Sequence, residues 1–578
     1  MDNRSIASIF QKIADTLEIK GENVFRVRAY RTAAQNIISL ARQLSDIYRE
    51  DPDSLSDIPG IGKDLKGKII EMVETGHLEY YSLLMKEFAP GFVDMLDLEG
   101  LGPKKLKKLR DELGIENVDQ LEKACKQGKV AGLPGMGRKT EEKLIASIGH
   151  FRKKEGRMLL PEAYEKAEEI VSYLSRSKLF KKMEKAGSLR RGCETVGDLD
   201  ILAVSKDPGK AMEVFVAYPE AESVIAKGKT KSSIKLFDGT NVDLRIIDEA
   251  CFGAALVYFT GSREHNVEIR KIAKNKGLKV SEYGVFSSDR KTGRDKFEAG
   301  RTEKELYVRL GMQFIPPELR ESRGEIEAAI AGKIPRGLVK LSDLKGDLHV
   351  HSNETDGNNT PEEVIEKAIE LGYEYIAFSD HSKLVKIARG MDEKRLLKHI
   401  ERLRKIGGRY KKIKILAGVE VDILADGRLD LEDSALKELD VVIASIHSKF
   451  SLSREDQTGR ILRAMDNRYV NALAHPSGRL ISRRSPLEID FDSVFRKAAE
   501  NNIAMEINTH GERIDLNDAN AMRARELGCR FIVSSDAHSL GQLELMVYGI
   551  VTARRAWLEK KDILNTYPYS KLMKALKR

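Results

Sequence analysis

Beyond Lys340 the chain repeats one small unit, a short apolar run closed by a residue that can ligate a metal. Asp347-Leu348-His349-Val350-His351 puts both histidines on one face of a predicted strand, because residues i and i+2 of a strand point the same way. Asp356-Gly357 follows in a polar loop. Tyr375-Ile376-Ala377-Phe378 leads to Asp380-His381, and Ile415 to Val421 carries Glu420. Val441 to Ile446 leads to His447, Val470 to Ala474 to His475, and Phe531 to Ser535 to Asp536 and His538. Helical stretches such as Glu362–Leu371 and Asp518–Leu527 separate these runs. Strand and helix in alternation, with chemistry at the strands' C-terminal ends, is the layout of a (β/α) barrel. Eight of the eleven histidines lie in this half, and only His399 and His510 among them fall outside the pattern. Nine nitrogen and oxygen ligands can hold up to three ions, and with no thiolate in the set Mn²⁺, Zn²⁺ and Fe²⁺ all fit.

A second motif lies earlier, at Gly187–Leu202, GSLRRGCETVGDLDIL. Asp198 and Asp200 stand one residue apart before the apolar run Ile201–Val204, so as part of a strand they project together. Asn241 to Ile247 alternates polar and apolar as a half-buried strand does, and offers Asp243 with Arg245 on its face. Three such carboxylates can hold two Mg²⁺ ions about 3.5–4 Å apart, the spacing of two-metal phosphoryl transfer. The Gly-Ser and paired arginines upstream suit phosphate oxygens. Cys193, inside the motif, is a small filler.

A third pattern occurs three times: Ile58-Pro59-Gly60-Ile61-Gly62-Lys63, Leu98 to Lys104 with Gly100 and Gly102, and Leu133 to Lys139 with Gly135 and Gly137. Each is a glycine turn followed by a helix. The glycines allow a tight turn and close approach, and the helix starts with free N–H groups that favour a phosphate. Such contacts position DNA without reading its sequence. The net charge of +9 is concentrated in residues 1–340, which carry +7 of it, with clusters at Lys104–Arg110 and Lys271–Lys279. The four cysteines are far apart, which excludes a disulfide framework and a thiolate zinc site. No run approaches the ~18–20 apolar residues of a membrane span, and the N-terminus lacks a signal-peptide core, so a cytoplasmic protein is expected.

The motif at Gly187–Leu202 resembles the family X DNA polymerases, the polymerase-beta-like nucleotidyltransferases, and the histidine-bearing half resembles the PHP domain (polymerase and histidinol phosphatase). Together they resemble the bacterial and archaeal PolX type. The resemblance implies a multidomain α+β and α/β chain: a helical small domain with a helix-hairpin-helix motif (1–90), a fingers-type domain with two more (91–149), a nucleotidyltransferase palm (150–250), a thumb (251–317), a linker (318–340) and a distorted (β/α)7 PHP barrel (341–578). It implies Asp198, Asp200 and Asp243 as the catalytic metal-binding set. Gly187, Ser188, Arg191 and Gly197 would contact the incoming triphosphate. Tyr258, Gly261, Asn266 and Arg270 would face the nucleotide and the template side. Gly60, Gly62, Lys63, Gly100, Gly102, Lys104, Gly135, Gly137 and Lys139 would meet the DNA backbone. Lys68 stands where some members carry a Schiff-base lysine that removes a 5′-deoxyribose phosphate, although Gly67 replaces the acidic neighbour of active lyases. Asn241 stands where the family often has an arginine assisting the primer end. The nine barrel ligands implied are His349, His351, Asp356, His381, Glu420, His447, His475, Asp536 and His538. The expected activity is short-gap filling in DNA repair with Mg²⁺ or Mn²⁺. A 3′→5′ exonuclease, and in some members abasic-site cleavage, is expected in the barrel. The partners are dNTPs and gapped or nicked DNA with a 5′-phosphate. The alternative is a DNA-end-binding metallophosphoesterase with weak polymerase activity.

Overall fold

The three glycine turns adopt one geometry. The carbonyls of Ile58, Leu98 and Leu133 accept from the N–H groups of Ile61, Leu101 and Met136 at 3.0, 3.0 and 2.9 Å. The glycine between them has φ of +81° at Gly60, +82° at Gly100 and +80° at Gly135, a region only glycine enters without strain. Helices α1 (Lys63–Thr75), α2 (Pro103–Leu113) and α3 (Arg138–Lys154) follow. Around the first turn a core forms from Ile6, Phe10, Ile13, Tyr30 and Ile69. The second and third turns share another core, with Leu101, Leu109, Met136 and Leu144. These descriptions come from a computed structural model that describes residues 1, 3–38, 40, 44–89, 91–98, 100–154, 157–288 and 295–577. The expected boundary between 149 and 150 lies close to residues 155–156, which are outside those described.

A five-stranded sheet follows, built from β1 (Phe180–Lys185), β2 (Asp198–Ser205), β3 (Ala221–Lys227), β4 (Lys231–Leu236) and β5 (Asn241–Ile246), in the order β1-β2-β5-β4-β3. β2 is an interior strand, covered on both faces, which explains why its apolar run is nearly continuous. Leu199, Ile201 and Ala203 face a core with Ile170 and Phe215, while Leu202 and Val204 face Phe252 and Leu256.

Residues 318–340 are not a loose linker. Arg320 and Glu325 are fully buried, and Leu319, Ile326, Ala329 and Ile334 share a core with Tyr307, Leu310 and Met312. Arg320 lies 2.6 Å from Glu303 and donates to the carbonyl of Ile315. The segment reads as polar because its charges are buried in pairs.

The remainder is a seven-stranded parallel sheet: β6 (Gly346–Val350), β7 (Tyr375–Phe378), β8 (Lys414–Asp422), β9 (Val441–Ser445), β10 (Ala472–Leu473), β11 (Ala504–Asn508) and β12 (Phe531–Ser534), in sequence order. It curls until its edges meet at the C-terminal ends. There the His351 N–H donates to the Ala537 carbonyl and the Asp536 N–H to the His349 carbonyl, both at 2.9 Å. Leu348, Ala377, Leu416, Ile443, Ala504 and Ile532 fill the interior. Leu572 and Leu576, on the helix Tyr569–Leu576, join that cluster, and the Leu576 carbonyl accepts from Asn471 just before β10. This C-terminal helix thus has an apolar inner face that plugs the barrel's N-terminal end. Replacing Leu572 by Ala is expected to cost about 2–5 kcal/mol, read as a lower urea midpoint for the barrel transition; an unchanged midpoint would show that the plug is not needed.

Two candidate metal centres

The barrel mouth gathers all nine side chains singled out in the sequence. His351, Asp356, His381 and His538 form one group, His349, His351 and Asp536 a second, and His381, Glu420 and His447 a third, each with ligand atoms within 4.8 Å of one another. His351 and His381 are shared, so the groups form a chain. His475 joins through Glu420, with Nε2 2.8 Å from Oε1. His349 Nε2, His351 Nδ1 and His475 Nδ1 are buried and have no hydrogen-bond partner, while His351 Nε2 and His381 Nδ1 face Asp536 and Glu420 at 3.1 and 2.9 Å. Buried ring nitrogens left unpaired are costly unless a ligand takes their lone pairs, so the donor set fits divalent metals. Two of the ligands, His475 and Asp536, hold φ of 27° and 52°, and such strain is kept where the surrounding structure enforces it.

Four carboxylates that sequence reasoning missed hold this set in place. Glu506 lies 2.7 Å from His349 Nδ1 and accepts the His475 N–H at 2.6 Å. Asp422 lies 3.2 Å from His447 Nδ1. Asp347 accepts from the backbone of His349 and Ser535. Asp380 accepts from Ser352 and Thr355 and lies 3.1 Å from His399, which gives that unmatched histidine a supporting place. His510, the other one, follows β11 and its N–H donates to Asn508, whose amide holds Asp536 at 3.0 Å. The available signal was a charged residue inside an apolar strand, as in Ala504-Met505-Glu506-Ile507. Partners of this kind fix the tautomer and orientation of ligand rings.

Glu420 is the charge around which the rings collect. Burial works against a charged His381, yet Glu420 and Asp356 outweigh it and hold the ring up to about 11. The same contest, with Glu420 and Asp422 against burial, holds His447 up to about 9. His351, buried beside His538 and His381, is pushed down to about 4. Protons and metal ions therefore compete for the same nitrogens.

The second centre lies on the five-stranded sheet. β2 and β5 run parallel with Asp200 directly across from Asp243, and Asp198 lies on the same face of β2 as Asp200. Burial, then the charges of Asp198 and Asp243, push Asp200 up to about 6. A Cβ on Gly187 would lie 2.7 Å from Asp200 Oδ2, and its φ of +60° favours glycine there. Asp243 accepts from Ser233 at 2.6 Å and pairs with Lys231 at 2.8 Å. Lys231 comes from β4, diagonal to Asp243, and supplies a cation that Asn241 does not; only the strand register reveals it. Like-charged acids crowded on one face fit divalent cations.

Around this centre the other expected residues fall as follows. The paired arginines are already engaged. Arg190 grips Glu303 with both terminal nitrogens at 2.7 and 2.8 Å, and Arg191 donates to Glu321 at 2.9 Å and to the Thr260 carbonyl at 2.8 Å. Ser188 lies in the single turn Gly187–Arg190, and a Cβ on Gly197 would lie 3.1 Å from Arg157. Asn266 folds back on the carbonyls of Tyr258 and Gly261 at 2.7 and 3.0 Å, and Arg270 donates to the Asn266 carbonyl. Lys68 lies 2.5 Å from Asp64 and 5.1 Å from the Tyr80 ring centre, surroundings that favour a cation. Gly60, Gly62, Gly100, Gly102, Gly135 and Gly137 are exposed, as are Lys63, Lys104 and Lys139. Except at Gly60, nothing lies within 4 Å of a Cβ built on these glycines. Among the described residues no helix is long and apolar enough to cross a membrane.

Family models match four stretches: a helix-hairpin-helix domain at residues 1–78, a SAM-like helix-hairpin-helix tandem at 92–149, a DNA polymerase beta thumb at 255–321 and a PHP domain at 347–510. The chain is 39% identical over 580 residues to the DNA polymerase/3′-5′ exonuclease PolX of Bacillus subtilis, covering 100% of both chains. It is 34% identical over 136 residues to a probable phosphatase of Photobacterium profundum, 22% of this chain and 52% of that one. To a probable phosphatase of Thermoanaerobacter sp. it is 27% identical over 231 residues, 38% of this chain and 89% of that one.

Two outcomes follow from the geometry. Glu506→Gln is expected to weaken metal binding at the barrel about 10–100-fold, measured by competition with a chelating dye; wild-type affinity would remove its orienting role. At the sheet, Asp200 keeps its proton up to about 6, above its ordinary value, so folding is favoured while it is protonated and loses that contribution as pH rises through 6. Mg²⁺ should therefore raise the melting temperature more at pH 7 than at pH 5, and equal shifts would contradict the assignment.

Proposed function

The chain belongs to the family X DNA polymerases that carry a C-terminal PHP domain, and from that footing we propose how its two centres divide the work. It is a DNA polymerase with a 3′→5′ exonuclease. The five-stranded sheet extends a primer with dNTPs, and the barrel removes nucleotides from the 3′ end. The observation that carries the polymerase assignment is the parallel register that sets Asp200 against Asp243 with Asp198 beside them.

Asp198, Asp200 and Asp243 hold Mg²⁺ or Mn²⁺, and ions bound there supply Lewis-acid neutralisation of the phosphoryl oxygens. Gly187 keeps the triphosphate turn close enough to share those ions. Ser188 and Arg191 orient the triphosphate, which requires Arg191 to direct a nitrogen outward while Glu321 and Thr260 hold its other contacts. Tyr258, Gly261, Asn266 and Arg270 form the wall beside the nascent base pair. The exposed glycine turns offer their N–H groups to DNA phosphates, and Lys63, Lys104 and Lys139 add charge without reading sequence. Such binding suits a short gap, where two helical faces grip both sides of a break. Lys68 and Tyr80 suit the 5′-phosphate of that gap; removal of a deoxyribose phosphate by Lys68 is the lesser reading, since Asp64 already holds its ammonium.

At the barrel the nine ligand groups hold up to three Mn²⁺, Zn²⁺ or Fe²⁺ ions, and Glu506, Asp422 and Asp380 keep the rings aimed. The buried, unpaired nitrogens carry this assignment. The phosphatase relatives and the PHP match at residues 347–510 support hydrolysis of a phosphate ester at the barrel; the DNA-gripping turns direct that chemistry to a DNA end. Asp198→Ala with Asp200→Ala is expected to abolish extension on a one-nucleotide gap and to spare Mn²⁺-dependent 3′ trimming, and His349→Ala to do the reverse. Loss of both activities in either variant would refute the division.

A further inference from the structure

The triphosphate turn does not stand alone against its own sheet. Its back rests on the barrel. A Cβ on Gly192 would lie 2.0 Å from Val551 on the helix Met546–Arg555, which follows the barrel's last strand, so the turn and that helix are in direct contact. Arg555 on this helix is buried. It donates to the Arg191 carbonyl at 2.7 Å and to Glu321 at 2.9 Å, and it grips Asp518 at 2.8 and 2.7 Å. The Glu321 oxygen it holds is the one that accepts from Arg191 at 2.9 Å and lies 3.3 Å from Cys193 Sγ. A second clamp sits at the far end of the turn, where Arg479 of the barrel binds Glu194 with nitrogens at 3.1 and 2.6 Å.

Arg555 is buried and its partners Glu321 and Asp518 are each only 15% exposed, and a charge so far from water is stable only in the geometry that pairs it. Asp518 and Glu321 are held below the usual carboxylate range: burial opposes it, but Arg555 leads the charges that outweigh it. Arg191 is therefore held in part from the barrel side, through its own carbonyl and through Glu321. Arg555 bonds to Asp518, Glu321 and the Arg191 carbonyl rather than to the nine ligand groups, so the barrel's own chemistry does not account for it.

We propose that the barrel completes the nucleotide site of the polymerase: Arg555, acting through Glu321, is a positioning residue that fixes Arg191 and the turn Gly187–Gly197 for the incoming triphosphate. The nuclease domain is thus a structural wall of the polymerase's dNTP pocket. A turn fixed in advance binds its ligand without a further ordering cost. This inference rests on the reading of Gly187–Gly197 as the triphosphate turn.

The test uses full-length protein on a gapped primer. Arg555→Lys keeps a cation and loses the planar fork. It is expected to raise the KM for dNTP about tenfold, as for loss of one charge-assisted bond, while kcat stays within about twofold. Mn²⁺-dependent 3′ trimming by the same preparation should be unchanged, which also reports folding. Glu321→Gln should raise KM similarly, and the double variant should be no worse than the poorer single one. Unchanged KM in Arg555→Lys, additive losses, or a parallel fall in trimming would each overturn the proposal. Ser188→Ala and Arg191→Gln separate the two levels. If they leave KM unchanged, the reading of the turn fails; if they raise it and Arg555→Lys does not, only the barrel's role fails.

Discussion

A buried charge persists only beside its opposite, and that constraint organises this protein. Arg190, Glu303 and Arg320 tie the sheet to the thumb-matching stretch at residues 255–321. Arg191, Glu321, Arg555, Asp518 and Arg323 continue the chain of pairs into the barrel. Within the barrel mouth Glu420, Glu506 and Asp422 do the same for imidazoles. Each pair fixes a geometry more narrowly than apolar packing would, because a displaced partner leaves a desolvated charge.

The two centres use strand pairing differently. In the sheet, the candidate carboxylates sit where two parallel strands begin, and the register decides which of them face each other. In the barrel, chemistry sits where seven parallel strands end, and closure between the first and last strands brings His349 and His351 to Asp536. Supporting carboxylates hold the barrel's ligand rings, while Gly187 admits Asp200 by having no side chain. The DNA-side turns need neither device. Their repeated glycine conformation exposes backbone, which suits a partner recognised by its phosphates.

Much of this was legible in the sequence because it depends on local spacing. The i, i+2 pairs at Asp198/Asp200 and His349/His351, the three glycine turns and the strand-end ligands all follow from backbone periodicity. What was misread depended on distant partners. Residues 318–340 looked like a linker because Arg320 and Glu325 read as surface charges until Glu303 and His265 are placed against them. The acidic partners of the paired arginines went unseen because Glu303 and Glu321 lie more than a hundred residues away. Lys231 went unnoticed because its link to Asp243 is an antiparallel register, invisible along one strand.

The sequence by itself determined which residues can carry chemistry and on which kind of element they sit, since residue type and local period are properties of a short stretch. Only the tertiary structure decided which of them meet. It set Asp200 against Asp243, gave His349 its Glu506, and laid the barrel's Arg555 behind Arg191. Those pairings come from strand register, barrel closure and the need to neutralise buried charge, and each of these joins residues that the sequence holds far apart.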